Sequence, residues 1–152
     1  MANEIHVDND SGNTVYAIVR NGAGQVWYIA GQVFEVWGGG AGRDMDDYDI
    51  PLADKTGDRY VGDFDSNIPA GRYTVQAFRQ LGANPDDDDD FIGSAEIIWT
   101  GNGELTADRM LANKAVQNKA TGAINYYDDD GETVILTHTP TDAESEITRT
   151  PS

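Results

Sequence analysis

The feature that most limits what this chain can fold into is a period of two. In "GRYTVQAF", Tyr73, Val75 and Ala77 alternate with Arg72, Thr74 and Gln76. That spacing puts the apolar side chains on one face of an extended segment. The device recurs in "FIGSAEIIWTG", where Ala95, Ile97 and Trp99 are expected to face inward. In "TVYAIVRN", Val15, Ala17 and Val19 share one face, and Tyr16 and Ile18 share the other. "QVWYIAGQVFEVW" is dense in β-formers and is interrupted by Gly31, which predicts a tight turn. Short segments of this kind, with turn signals every 8 to 12 residues or so, predict an antiparallel β-sandwich over residues 1–103. All three tryptophans lie there and can supply the interior of a two-sheet packing.

The stretch "YVGDFDSNIPAGRYTVQAF" resembles the late strands of bacterial immunoglobulin-like domains. The resemblance implies an immunoglobulin-like sandwich. Tyr73 would then be the buried corner tyrosine whose hydroxyl returns to the backbone. It implies nothing about activity, because one fold hosts many functions.

From Asn102 the character changes. "NGELTADRMLANKAVQNKATG" predicts a short α-helix, with Thr106 as N-cap, Asp108 in the first turn, Lys114 and Lys119 toward the end and Gly122 as the stop. Its apolar face is thin: Met110, Leu111, Ala115 and Val116. "AINYY", "TVILTHT" and "SEITRT", separated by the turns "DDDG" and "PTDAE", then predict a three-stranded β-meander. So small a sheet cannot own an interior and needs a partner surface. Residues 104–152 are therefore expected to form a docking or oligomerisation module. The residues expected at its contacts are Met110, Leu111, Val116, Tyr126, Tyr127, Val134, Leu136 and Ile147.

Charge removes several classes of partner. The chain carries 10 Lys and Arg against 27 Asp and Glu, a formal net charge of -17. Phosphate backbones and anionic membrane surfaces are bound by cations, of which this chain has few, so neither nucleic acid nor membrane is an expected partner. There is no cysteine, which excludes disulfides, thiolate zinc sites and a cysteine nucleophile. "MANEIHVDND" has neither the cationic nor the apolar region of a secretory signal, so synthesis in a host cytoplasm is expected.

The acidic runs invite a metal reading. "NPDDDDDF" offers Asp86, Asp88 and Asp90 as a candidate cation set. A helix–loop–helix calcium site needs a central Gly and a closing Glu, and Phe91 and Ile97 occupy those places. The run is better read as a solvated hairpin tip. "DND" at Asp8–Asp10 and "DMDDYD" at Asp44–Asp49 read as turns, and Gly131 of "DDDG" is expected at positive φ. His6 and His138 lack ligand spacing, "GGGAGRD" lacks the Lys-Ser/Thr of a phosphate loop, and no GxSxG is present. No cofactor and no enzymatic activity are expected. Trp27, Tyr28 and Trp37 are candidates for stacking a sugar ring, a role that competes with burial in the sandwich.

One further resemblance covers the C-terminal segment. "NKAVQNK", "TGAINYYDDDG" and "HTPTD…ITRTP" resemble a module of structural proteins from tailed bacteriophages and prophages, where it follows a sandwich of variable sequence. "VYAIVRNGAGQVW" is similar to the upstream part of the same proteins. The resemblance implies a non-enzymatic virion protein that contacts copies of itself and other virion proteins. A tail position (fibre, baseplate or neck) is expected ahead of a capsid decoration role, with a carbohydrate-binding module as the alternative class.

Overall fold

The computed structural model describes residues 3–40, 42–106, 113–128, 130–143 and 146–151, the last two stretches by backbone alone from residue 141. The chain divides into two compact units, Met1–Glu104 and Leu105–Ser152.

The first unit is all antiparallel β. Its strands are β1 (Ile5–Asp8), β2 (Val15–Asn21), β3 (Val26–Tyr28), β4 (Val33–Glu35), β5 (Ile50–Asp54), β6 (Arg59–Gly62), β7 (Gly71–Arg79) and β8 (Asp90–Trp99). The middle of the sheet is β2. One of its edges pairs with β7 along the whole strand, from Val15↔Arg79 to Asn21↔Tyr73, and β7 pairs in turn with β8. Its other edge forks. Val15–Ala17 pair with β5, while Arg20 pairs with Val26 of β3. One branch continues through β6 to β1 and the other ends at β4.

The fork explains the burial of β2. Val15, Ala17 and Val19 face a core shared with Ile5, Trp27, Phe64, Tyr73, Val75, Ile97 and Trp99, which gives the sandwich-like packing. Tyr16 and Ile18 point the other way and are buried as completely, against Val26, Met45 and Tyr48. What covers this second face is Met45 and Tyr48, with Trp37 packed beside them. Asp44 caps a 3-10 helix, Met45–Asp47, by accepting from the Met45 amide at 2.9 Å, while the Asp47 carboxylate accepts from the Asp44 amide at 3.1 Å. The acidic run "DMDDYD" is thus a cap whose two apolar members are pressed onto the sheet.

The expected alternation in β7 is present, with Tyr73, Val75 and Ala77 all buried. The Tyr73 hydroxyl donates to the Pro69 carbonyl at 2.7 Å, so it does return to the backbone. In β8, Ile97 and Trp99 are buried as expected, but Ala95 is exposed. It has the right parity and lines an opening between β8 and β1.

In the second unit the α-helix gives way to strand. Ala115–Gln117 forms β9, followed by β10 (Ile124–Tyr127), β11 (Val134–Ala143) and β12 (Glu146–Pro151). The sheet is a four-stranded meander in the order β12-β11-β10-β9. Among the described residues there is no α-helix. Asp108, Met110 and Leu111, expected on the helix, lie outside the described residues. Gly122, expected as the helix stop, sits at φ 74° in the β9–β10 hairpin. Its amide donates to the Asn118 carbonyl, and the Asn118 side chain accepts from the Ala120 and Thr121 amides. Three residues bonded across to β10 outweigh the helical preference of "NKAVQNK", which had only a thin apolar face to dock.

Candidate functional site

Among the described residues of the second unit no apolar side chain is buried. Among its described side chains the one buried residue is Asp128, 5% exposed. Val116 and Val134 are 42% and 44% exposed, and Ile124, Tyr126, Tyr127, Ile135 and Leu136 are half-buried. Cross-strand register sorts the expected contact residues. Tyr126 stands opposite Leu136 and Tyr127 opposite Val134, with a bulge between the two pairs. Val116 is across from Asn125, and the backbone of Ile147 from that of Asp142. His138 meets the Tyr126 ring edge-on, with centroids 5.3 Å apart.

The turns of this sheet are well bonded even though its described apolar side chains are at most half-buried. Asp130 accepts from the Thr133 hydroxyl and from the Thr133 and Glu132 amides, which hold its carboxyl below the ordinary range. Gly131 follows at φ 69°, the positive value expected of it. Lys114 Nζ donates to the Gly131 carbonyl at 2.9 Å and lies 4.5 Å from the Tyr127 ring centroid. Local bonds therefore fix the sheet's shape, while Val116 and Val134 stay exposed.

The three candidate sugar-stacking residues are placed elsewhere. Trp27, 2% exposed, belongs to the core of the first unit, and its indole N–H donates to Asp65 at 2.8 Å. It has no free ring face, so the stacking expectation is corrected there. Tyr28 and Trp37 are half-buried at the rim of the second core. The Arg43 guanidinium lies 3.7 Å from the Tyr28 ring centroid, and that of Arg20 lies 5.0 Å from Trp37. Both rings also pack on Tyr48. Arg43 bonds to Glu35, which accepts from the Tyr48 hydroxyl at 2.9 Å. That Arg43 bond holds the Glu35 carboxyl down. Nothing in "GGGAGRD" pointed to an arginine that closes over the Tyr28 ring.

The five-aspartate run is a structured turn. Asp89 is folded in, 8% exposed, and accepts from the Leu81 amide at 2.7 Å, the Asp86 amide at 2.9 Å and the Tyr16 hydroxyl at 2.9 Å. Burial pushes its carboxyl up, but these three donors outweigh burial and hold it below the ordinary value. Asp86 accepts from the Asp88 amide, and Asp90 pairs with Arg79. Of the candidate cation set, the Asp86 and Asp90 carboxylates thus have internal partners. Among the described residues no three His, Cys, Asp or Glu side chains are grouped to hold an ion.

The loop that follows "DND" is held by groups outside it. Asp54 accepts from the Gly12 amide at 2.8 Å and the Thr56 amide at 2.7 Å, and the Tyr60 hydroxyl accepts from the Asn13 amide at 3.0 Å. Asp44, Asp54, Asp86, Asp89 and Asp130 all serve as acceptors that close turns. No protein-family model, no curated protein and no solved structure matches the chain.

Proposed function

We propose that this chain is a non-enzymatic structural protein of a tailed-bacteriophage virion, a tail component that assembles through the sheet β9–β12. One observation carries the reading: the second unit buries no apolar side chain among those described. Fully burying a Val, Leu or Ile side chain is worth about 1.5–3 kcal/mol, so covering Val116, Val134 and Leu136 would supply several kcal/mol to an assembly. The wording of "TGAINYYDDDG" and "HTPTD…ITRTP", which resembles the phage module, supplies the biological class.

The first unit is in this reading an immunoglobulin-like sandwich that spaces or displays. The corner bond from Tyr73 to Pro69 supports it. Acidic loops that already bond internally and half-buried aromatics already stacked on guanidinium groups favour a scaffold over a sugar-binding face.

The test is mass in solution. The full chain should be a closed oligomer at micromolar concentration, and Leu136→Glu should shift it to monomer while leaving the first unit folded. A full-length protein that stays monomeric at millimolar concentration would overturn the assembly reading. Trimers or hexamers would place it in a tail, and monomers that associate only on capsids would place it among decoration proteins.

A further inference from the structure

In the first unit six strands follow one another as antiparallel neighbours, β8-β7-β2-β5-β6-β1. Direction reverses at each step, so β1 and β8 run opposite ways and could themselves pair. They do not. Among the described residues β1 pairs with β6, and β8 pairs with β7 apart from one bridge, Trp99↔Glu104. Between the two edges is a cavity of about 320 Å³, with Ile5–Asp8 on one side, Ile92–Ala95 on the other, Val75 and Ala77 of β7 between, and Arg59 at the Asp8 end. A second cavity of about 160 Å³ shares Ile5, His6, Val75 and Ala95 and adds Glu4, Glu96 and Glu104.

The slot is kept open by small side chains. Gly93 and Ala95 have the inward parity of Ile97 and Trp99, and a Cβ on Gly93 would meet nothing within 4 Å. Each rim offers four residues of strand, or roughly 13 Å at about 3.3 Å per residue. The cavity matches the lower end of ligand-site volumes, about 300 Å³. Free edges in native sheets are commonly guarded by Lys, Pro or a cover, and "IHVD" of β1 has neither Lys nor Pro.

We propose that this slot receives one extended strand of a partner protein, small and apolar at alternate positions and cationic at the end beside Glu4, Glu96 and Glu104. The strand would bond antiparallel to one rim and parallel to the other, so both of its edges would be satisfied. Charge selects the occupant. Three carboxylates line one end of the slot; Glu4 accepts from the Phe64 amide at 3.1 Å, Glu96 pairs with Arg72 at 3.3 Å, and the carboxylates still outnumber the cations at that end. A second copy carries the same net charge of -17 and is the poorer fit. This inference concerns the first unit and does not rest on the role proposed for β9–β12.

The test uses the full chain and capped hexapeptides of alternating Val and Thr with one Lys, placed at either end. Hydrogen exchange should slow about tenfold at the amides of both Ile5–Asp8 and Ile92–Ala95 when peptide is bound. Replacing the peptide Lys by Glu, or Glu96→Gln in the protein, should weaken binding about two- to fivefold. Gly93→Val should abolish binding with the melting temperature held or raised, and Ala95→Val should do the same if Gly93→Val fails to fold. Unchanged exchange at millimolar peptide, or undiminished binding by a folded Gly93→Val protein, would overturn the proposal. Rims that become protected with rising protein concentration alone would also overturn it, since the occupant would then be a second copy.

Discussion

The hydroxyl of Tyr16, in the middle strand of the first unit, donates to Asp89 in the five-aspartate run at 2.9 Å. Two segments that look unrelated in sequence are joined by that bond. It orients the hairpin between β7 and β8, because the same carboxylate collects the Leu81 and Asp86 amides. Burial and the neighbouring carboxylate push the Tyr16 hydroxyl far above its ordinary range, so it stays a donor throughout the working pH range.

Asp89→Ala should therefore cost about 3 kcal/mol in urea unfolding, since buried donors lose a charged acceptor. Its pH dependence has a definite sign. The Asp89 carboxyl is held lower in the folded protein than its usual value. Its contribution is fully present above the unfolded value near ~3.9 and is lost as pH falls through the lower folded value. Asp89→Asn should flatten stability against pH in that acid window while leaving the neighbouring aspartates' behaviour unchanged. An unaltered acid limb would refute the assignment.

Tyr73→Phe isolates the corner bond. The ring, packed on Phe34 and Phe64, is retained, and only the donor to the Pro69 carbonyl at 2.7 Å is removed. The expected loss is about 1 kcal/mol, read as a shift of denaturant midpoint at constant slope. A change in slope would mean that the turn before β7 had come loose.

Gly31→Ala should disturb the aromatic rim. A Cβ at Gly31 would sit 2.4 Å from Cδ1 of Tyr28, so the ring must shift and its stacking with the Arg43 guanidinium must change. A loss of about 1–2 kcal/mol is expected, with a change in near-ultraviolet circular dichroism. Tyr28→Ala in the same background should remove most of the added cost, because the clash is with that ring.

Removing Leu105–Ser152 should leave a monomer that still melts cooperatively, since every residue of the two buried clusters precedes Leu105. Sedimentation and calorimetry check this together. A truncated chain that keeps the assembly state of the full chain would contradict the role proposed for β9–β12.

How far the sequence disclosed this structure depended on whether local pattern or distant partners decided each element. The alternation around Tyr73, Val75 and Ala77 reports burial directly, because one face of β7 meets the core. "VYAIV" disclosed two apolar faces in β2, but not that Met45 and Tyr48 would be carried over the second by an acidic cap. Five consecutive aspartates gave no sign of which would turn inward. That choice is made by the position of Tyr16, 73 residues away in the chain. "NKAVQNK" carries helical composition, and its strand state is set by pairing with Ile124–Tyr126. Ala95 had the correct parity and the wrong exposure, because inward direction is local while a missing neighbour is not.

The doubly covered middle strand has a consequence for damage. Val15, Ala17 and Val19 rely on one packing and Tyr16 and Ile18 on the other, so neither can be lost alone. A protease nick between Val36 and Asp49 would release more than a surface strap, because it would wet the strand on which β3, β5 and β7 all hang.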